Sequence, residues 1–264
     1  MRRCAMDAQA GHADHAGMNE IGDAMSSGRL AWVAFCFLLA GAIKGVTGMG
    51  LPTLAMALLS LVLPAASAAT LMLVPALLTN IAQCFGRHGG TLLRRLWPLW
   101  LALVLGTLFA PVPSLASGTA RPVLGGVLLA YGAFGLARLR LPAPGRFAGG
   151  LGALAGGLGG ALSAATGVFV MPMVPYLQAL ALSRAALIQA LGISFTLASL
   201  ALAARLGGLE AAEPPEAPAL GVALATAFAG MGLGARWRQR LPAAHFRRAL
   251  YAVLMLLGSL MLAG

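Results

Sequence analysis

Between Leu30 and Leu63 the chain runs for about 34 residues with a single charged side chain, Lys44. That run is too long for one crossing of a hydrocarbon core of roughly 30 Å and too short for two. Inside it lies Gly41-Ala42-Ile43-Lys44-Gly45-Val46-Thr47-Gly48-Met49-Gly50-Leu51-Pro52. Four glycines and a proline oppose a continuous helix here. The run therefore reads as two half-helices of about 13 residues, roughly 20 Å each, neither able to cross alone. It is either one broken span or a re-entrant hairpin. Lys44 is also the only lysine in the chain. A cation at a break where backbone N–H groups are free is a seat for an anion.

The pattern returns 119 residues later, as Gly159-Gly160-Ala161-Leu162-Ser163-Ala164-Ala165-Thr166-Gly167-Val168-Phe169-Val170-Met171-Pro172. In that register Thr47-Gly48 falls on Thr166-Gly167, Asn80 on Ser199 and Thr107 on Thr226, and Ser163 stands where Lys44 stood. Pro52 and Pro172, the helix-breaking prolines, need a register one longer. Weak internal symmetry of this kind marks transporters built from two repeats. The expected organisation is a disordered polar tail, 1–29, followed by membrane repeats 30–140 and 141–264.

Composition sets the class. Hydrophobic residues make up 59% and charged residues 9%, with a mean hydropathy of +0.87; a soluble domain carries about 25% charge. The expected fold is an all-α polytopic membrane protein with about eight apolar segments in two inverted repeats. The net charge of +11 does not point to nucleic acid, because the arginines occupy short loops between apolar segments. All seven acids lie outside those segments, in the tail and in the loop holding Glu210, Glu213 and Glu216. Cation carriers place carboxylates within their spans, so this distribution favours an anionic substrate. Cys4, Cys36 and Cys84 show no CxxC spacing and predict neither a disulfide framework nor a metal site. His12 and His15 read as solvated tail residues, and no cofactor is implied.

Charge also bears on topology. If segments one and five re-enter, the other six alternate and the two repeats are inverted. Most arginines then face the cytoplasm, and all acids and both termini lie outside. If all eight segments cross, the bias weakens. Trp97 and Trp100 read as interfacial anchors at the start of segment three.

The substrate-binding candidates are Lys44, Gly45, Thr47, Gly48 and Gly50 at the first break, and Ser163, Thr166 and Gly167 at the second. Asn80 and Gln83 share a helix face and join them, with Gln189 and Ser194 from the second half. Each has a plainer reading. Glycines also permit close helix packing, a lysine also snorkels to the interface, and hydroxyls also bond back to their own helix. No GxSxG, HExxH or P-loop pattern is present, so an enzyme is the weaker class.

The run Ile43 to Pro52 resembles the glycine-rich signature of the TauE/SafE family, the sulfite exporter-like permeases. So do Val74-Pro75 through Thr79, Asn80 and Gln83, and, in the second half, Thr166-Gly167 with Pro172 and the stretch Arg236 to Arg248. The resemblance covers residues 30–264. It implies transport of a small sulfur-containing or organic anion across a bacterial inner membrane. The expectation is a secondary permease, working by alternating access, whose two broken segments meet near the midplane. Its partners would be the anion, the bilayer and a coupling ion, proton or sodium. A channel-like anion pore, a membrane enzyme and a scaffold stay open, as does the oligomeric state.

Overall fold

The first apolar segment is two helices of unequal length, not two equal halves. Helix α1, Ser27–Thr47, has 21 residues, and α2, Leu51–Leu59, has 9. The break is confined to Gly48-Met49-Gly50, where Gly48 (φ 82°) and Gly50 (φ 101°) take left-handed conformations that side chains disfavour. Gly41 and Gly45 remain helical. A Cβ on Gly41 would lie 2.3 Å from the Ala227 carbonyl oxygen, and one on Gly45 2.4 Å from that of Met231. Close packing against another backbone is what keeps them in the helix. The fifth segment divides likewise into α6, Ala148–Thr166, and α7, Met173–Ala179. At 1.5 Å per residue α1 is about 31 Å long, whereas α2 is about 13 Å and α7 about 10 Å.

Both pairs are hairpins. Trp32 Nε1 donates to the Leu58 carbonyl at 3.3 Å, bringing the end of α2 back to the start of α1. The Tyr176 hydroxyl donates to the Ala148 carbonyl at 2.7 Å, bringing α7 back to the start of α6. The remaining helices are α3 (Ala65–Cys84), α4 (Gly89–Phe109), α5 (Ala120–Leu136), α8 (Arg184–Ala204), α9 (Ala217–Trp237) and α10 (Ala243–Ala263).

The structure, a computed structural model, describes residues 27–137, 141–209, 213–237 and 243–263. The polar stretch 1–26, with Cys4, His12, His15 and the tail acids, lies outside the described residues, as do Arg138, Arg140, Glu210, Arg238 and Arg240. Among the described residues there is no strand, and six helices are long and apolar enough to cross a membrane, with Ala120–Leu136 a shorter apolar helix.

Glycines decide which helices are neighbours. On α1 and α9, Leu38 meets Gly230 and Ala42 meets Gly234, so the two run in the same direction. On α4 and α6, Leu99 meets Gly156 and Leu103 meets Gly160, again in the same direction. Helices α5 and α10 run oppositely, with Gly125 against Gly258 and Gly132 against Tyr251. Helices α3 and α8 also run oppositely, with Gln83 against Gly192 and Gly86, just past the end of α3, against Gln189.

Trp97 is 55% exposed, as an anchor would be, but Trp100 is buried. Its Nε1 donates to Ser194 Oγ at 2.9 Å and ties α4 to α8. An indole is buried readily once its N–H has a partner, and the hydroxyl on α8 provides one.

Two glycines of α9 should respond oppositely to alanine. A Cβ at Gly234 would sit 2.1 Å from the Ala42 carbonyl oxygen, whereas at Gly221 it meets nothing within 4 Å. Gly234→Ala is expected to destabilise by about 1–3 kcal/mol through overpacking. Gly221→Ala should be neutral or stabilise by up to about 1 kcal/mol through helix propensity. Thermal unfolding of the purified variants in one detergent checks both signs.

Candidate functional site

The first break begins with a helix stop built from Thr47 and Gly48. The Thr47 hydroxyl donates to Ile43 O (2.8 Å) and approaches Met49 O (2.7 Å), and it accepts from Met49 N (3.3 Å). Gly48 N closes on Lys44 O at 2.7 Å. Helix α2 then starts from Gly50, with Pro52 in its first turn, where proline costs no hydrogen bond.

Lys44 lies one turn before this stop. It is 2% exposed. Its Nζ donates to Thr79 Oγ1 at 3.0 Å and to Asn80 Oδ1, both on α3. Thr79 is turned for the task, because its own hydroxyl hydrogen goes back to Pro75 O at 2.7 Å. Gln83, three residues beyond Asn80, donates from Nε2 to Gly48 O at 3.1 Å. The structure thus brings together Lys44, Thr47, Gly48, Gly50, Asn80 and Gln83. Among the described residues no carboxylate meets Lys44. Asn80 Nδ2 and Gln83 Oε1 are buried with no hydrogen-bond partner among the described residues. Gly45, adjacent in sequence, faces α9 and packs there.

The second break repeats the helix stop. The Thr166 hydroxyl donates to Leu162 O at 2.7 Å and accepts from Val168 N at 3.2 Å. Gly167 (φ 71°) closes on Ser163 O at 2.8 Å, and Pro172 stands at the start of α7. The register of 119 residues also links the first residues of α3 and α8, Ala65 and Arg184. The side chains differ, however. Ser163 and Ser199, at the positions matching Lys44 and Asn80, are fully buried and their hydroxyls have no partner among the described residues. Phe169 and Phe195, matching Gly50 and Ala76, pack with ring centroids 5.3 Å apart.

The two breaks do not meet. The first is bonded to Gln83 of α3; the second packs at Gly167 against Met56 of α2 and Ala69 of α3. Ala69 and Gln83 are separated by roughly 21 Å along a helix rising 1.5 Å per residue. A midplane meeting presumed half-helices of equal length, whereas each long first arm carries its break toward one end of α3.

Gln189 and Ser194 have local partners. Gln189 Nε2 donates to Cys84 O (3.0 Å) and Gly86 O (3.2 Å), and its Oε1 accepts from His88 N (3.1 Å), so it clamps the α3–α4 turn. Ser194 donates to Ala190 O (2.7 Å) and accepts from Trp100. One buried cation escaped the sequence reading. Arg205 donates to the carbonyls of Thr107 (3.2 Å), Leu108 (3.3 Å) and Ala110 (3.3 Å), at the C-terminal end of α4, where a cation complements the helix dipole. Its place at the end of an apolar segment made it look like a loop residue.

Comparison with known proteins gives one match. The model of the family described as sulfite exporter TauE/SafE matches residues 33–261. No curated protein and no solved structure matches significantly. The match runs from within α1 to the last turn of α10 and so takes in the breaks of both hairpins. The chain belongs to the sulfite exporter TauE/SafE family, a family of membrane transporters.

Proposed function

We propose that the chain is a secondary permease for a small anion, and that Lys44 is the anion's charge partner. One observation carries the proposal: the Lys44 ammonium is buried and its described partners, Thr79 and Asn80, are neutral. A buried charge without a counter-charge is held at a cost of several kcal/mol. An anion beside Lys44 offsets part of that cost. The family's sulfite description, together with spans free of carboxylates, supports a sulfur oxoanion or sulfonate, with small organic acids as the wider class. The first break supplies the site. The second break is its chemically reduced counterpart.

The same reading takes residues 30–140 and 141–264 as two inverted repeats working by alternating access across a bacterial inner membrane. Helix directions support it. Helix α3 opposes α8 and α5 opposes α10, as inversion requires, while each hairpin returns the chain to the face it left. The arginine-rich ends at Arg87–Arg95 and Arg236–Arg248 then share the cytoplasmic face, and both termini lie outside.

In proteoliposomes, Lys44→Ala should abolish anion flux while the protein still folds. Its anion-free stability should be unchanged or raised, because a buried charge has been removed. Wild-type stability should rise by roughly 2.7 kcal/mol at 100 times the dissociation constant of a bound anion, and the variant should lose that gain. Normal flux in Lys44→Ala would sink the assignment of Lys44.

Topology has its own test. In a cysteine-free background, Ala143→Cys and Ala185→Cys flank the α6–α7 hairpin and Ser117→Cys marks the opposite face. An impermeant maleimide added to intact cells should label position 117 and spare positions 143 and 185. Labelling only one of 143 and 185 would mean that the hairpin crosses.

A further inference from the structure

We propose that the anion held at Lys44 carries a hydrogen-bond donor of its own, as a singly protonated oxoanion or a hydroxylated sulfonate or carboxylate does. This narrower class holds only if Lys44 is the anion's partner. It follows from which polar atoms at the first break have partners and which do not.

Lys44 uses two of its three N–H donors, on Thr79 and Asn80. The amide of Asn80 must present Oδ1 to Lys44, since the reverse orientation would set its N–H₂ group against the ammonium. Asn80 Nδ2 is therefore left with donors and no described acceptor. The amide of Gln83 must present Nε2 to the Gly48 carbonyl, which only accepts. Gln83 Oε1 is therefore left as an acceptor with no described donor. Orientation of both amides is thus dictated by neighbours that can act in one way only.

Asn80 and Gln83 are three residues apart on one face of α3, and both reach the Lys44–Gly48 turn. Around that turn stand one cation, unused N–H donors and one unused acceptor. A fully deprotonated anion answers the cation and the donors, but it sets a negative oxygen against Gln83 Oε1. An anion bearing O–H or N–H answers all three. Sites built to hydrogen-bond a substrate group discriminate strongly against analogues lacking it, because a buried polar atom is then left unpaired.

The test uses matched pairs of anions and the full-length purified protein. Calorimetric titration compares 2-hydroxyethanesulfonate with ethanesulfonate, and hydroxyacetate with acetate. The wild type should bind the hydroxylated member of at least one pair at least about tenfold more tightly, equivalent to one well-made hydrogen bond. Gln83→Met keeps the volume and removes the acceptor, together with the Nε2 bond to the Gly48 carbonyl. It should erase the preference, so that the two members of each pair bind equally. Equal affinities within both pairs in the wild type overturn the proposal, as does a preference that survives in Gln83→Met. If Gln83→Met fails to fold, the wild-type pairs still decide.

Lys44→Ala separates the two levels. Binding that depends on Lys44 but shows no hydroxyl preference sinks the donor requirement alone. Binding that survives Lys44→Ala sinks the Lys44 reading and the donor requirement with it. Failure of the folded wild type to bind any of the four anions overturns both.

Discussion

Helices in a bilayer gain little by hiding apolar side chains from one another, since lipid tails are equally apolar; their association depends on how closely the backbones approach. Here the approach is set by glycines. Gly41, Gly45, Gly230 and Gly234 let α1 and α9 touch backbone to backbone, and Gly106, Gly156 and Gly160 do the same for α4 and α6. No side chain larger than hydrogen fits at these points without moving a helix. That constraint fixes the rotation of α1 about its axis. With Gly45 turned to α9, Lys44 is turned to α3, where Thr79 and Asn80 wait for it.

The hairpin tips show a second economy. A helix that stops inside a membrane exposes carbonyls that no lipid can bond, and such ends survive only where protein satisfies them. Both tips use the same pair. A threonine hydroxyl bridges the last turn and the next strand of backbone, and a glycine with positive φ closes the turn. At the far end of α4 the last carbonyls are answered by Arg205, one guanidinium for three of them. Backbone satisfaction is the common demand, and the chemistry that answers it varies with the space available.

Much of this was readable beforehand. Low charge and long apolar runs identify a polytopic helical protein, and Thr47-Gly48 with Thr166-Gly167 mark the two breaks at their true positions. Lys44, Asn80 and Gln83 stand out because polar side chains are costly in such runs. The equal halves were misjudged because a glycine weakens a helix only when nothing compensates it. Gly41 and Gly45 are compensated by α9, nearly two hundred positions away, and no local pattern reveals that partner. Trp100 was misread as an anchor for a related reason, and the partners of Gln189 and Ser194 were hidden in the same way. Their partners, a turn for Gln189 and each other for Ser194 and Trp100, come from distant segments, so each looked like an unpaired group or an anchor.

The Phe169–Phe195 pair has a consequence for energetics. In a protein of two inverted halves, the outward and inward states arise when the halves exchange conformations. If the halves were chemically alike, the two states would be mirror partners of equal energy. Here one half presents Gly50, Ala76 and a lysine, whereas the other fills the matching positions with two tilted, packed rings and a serine. Exchange between such unlike halves would then pack different side chains in each state. On that account the empty carrier would rest unequally on the two sides of the membrane.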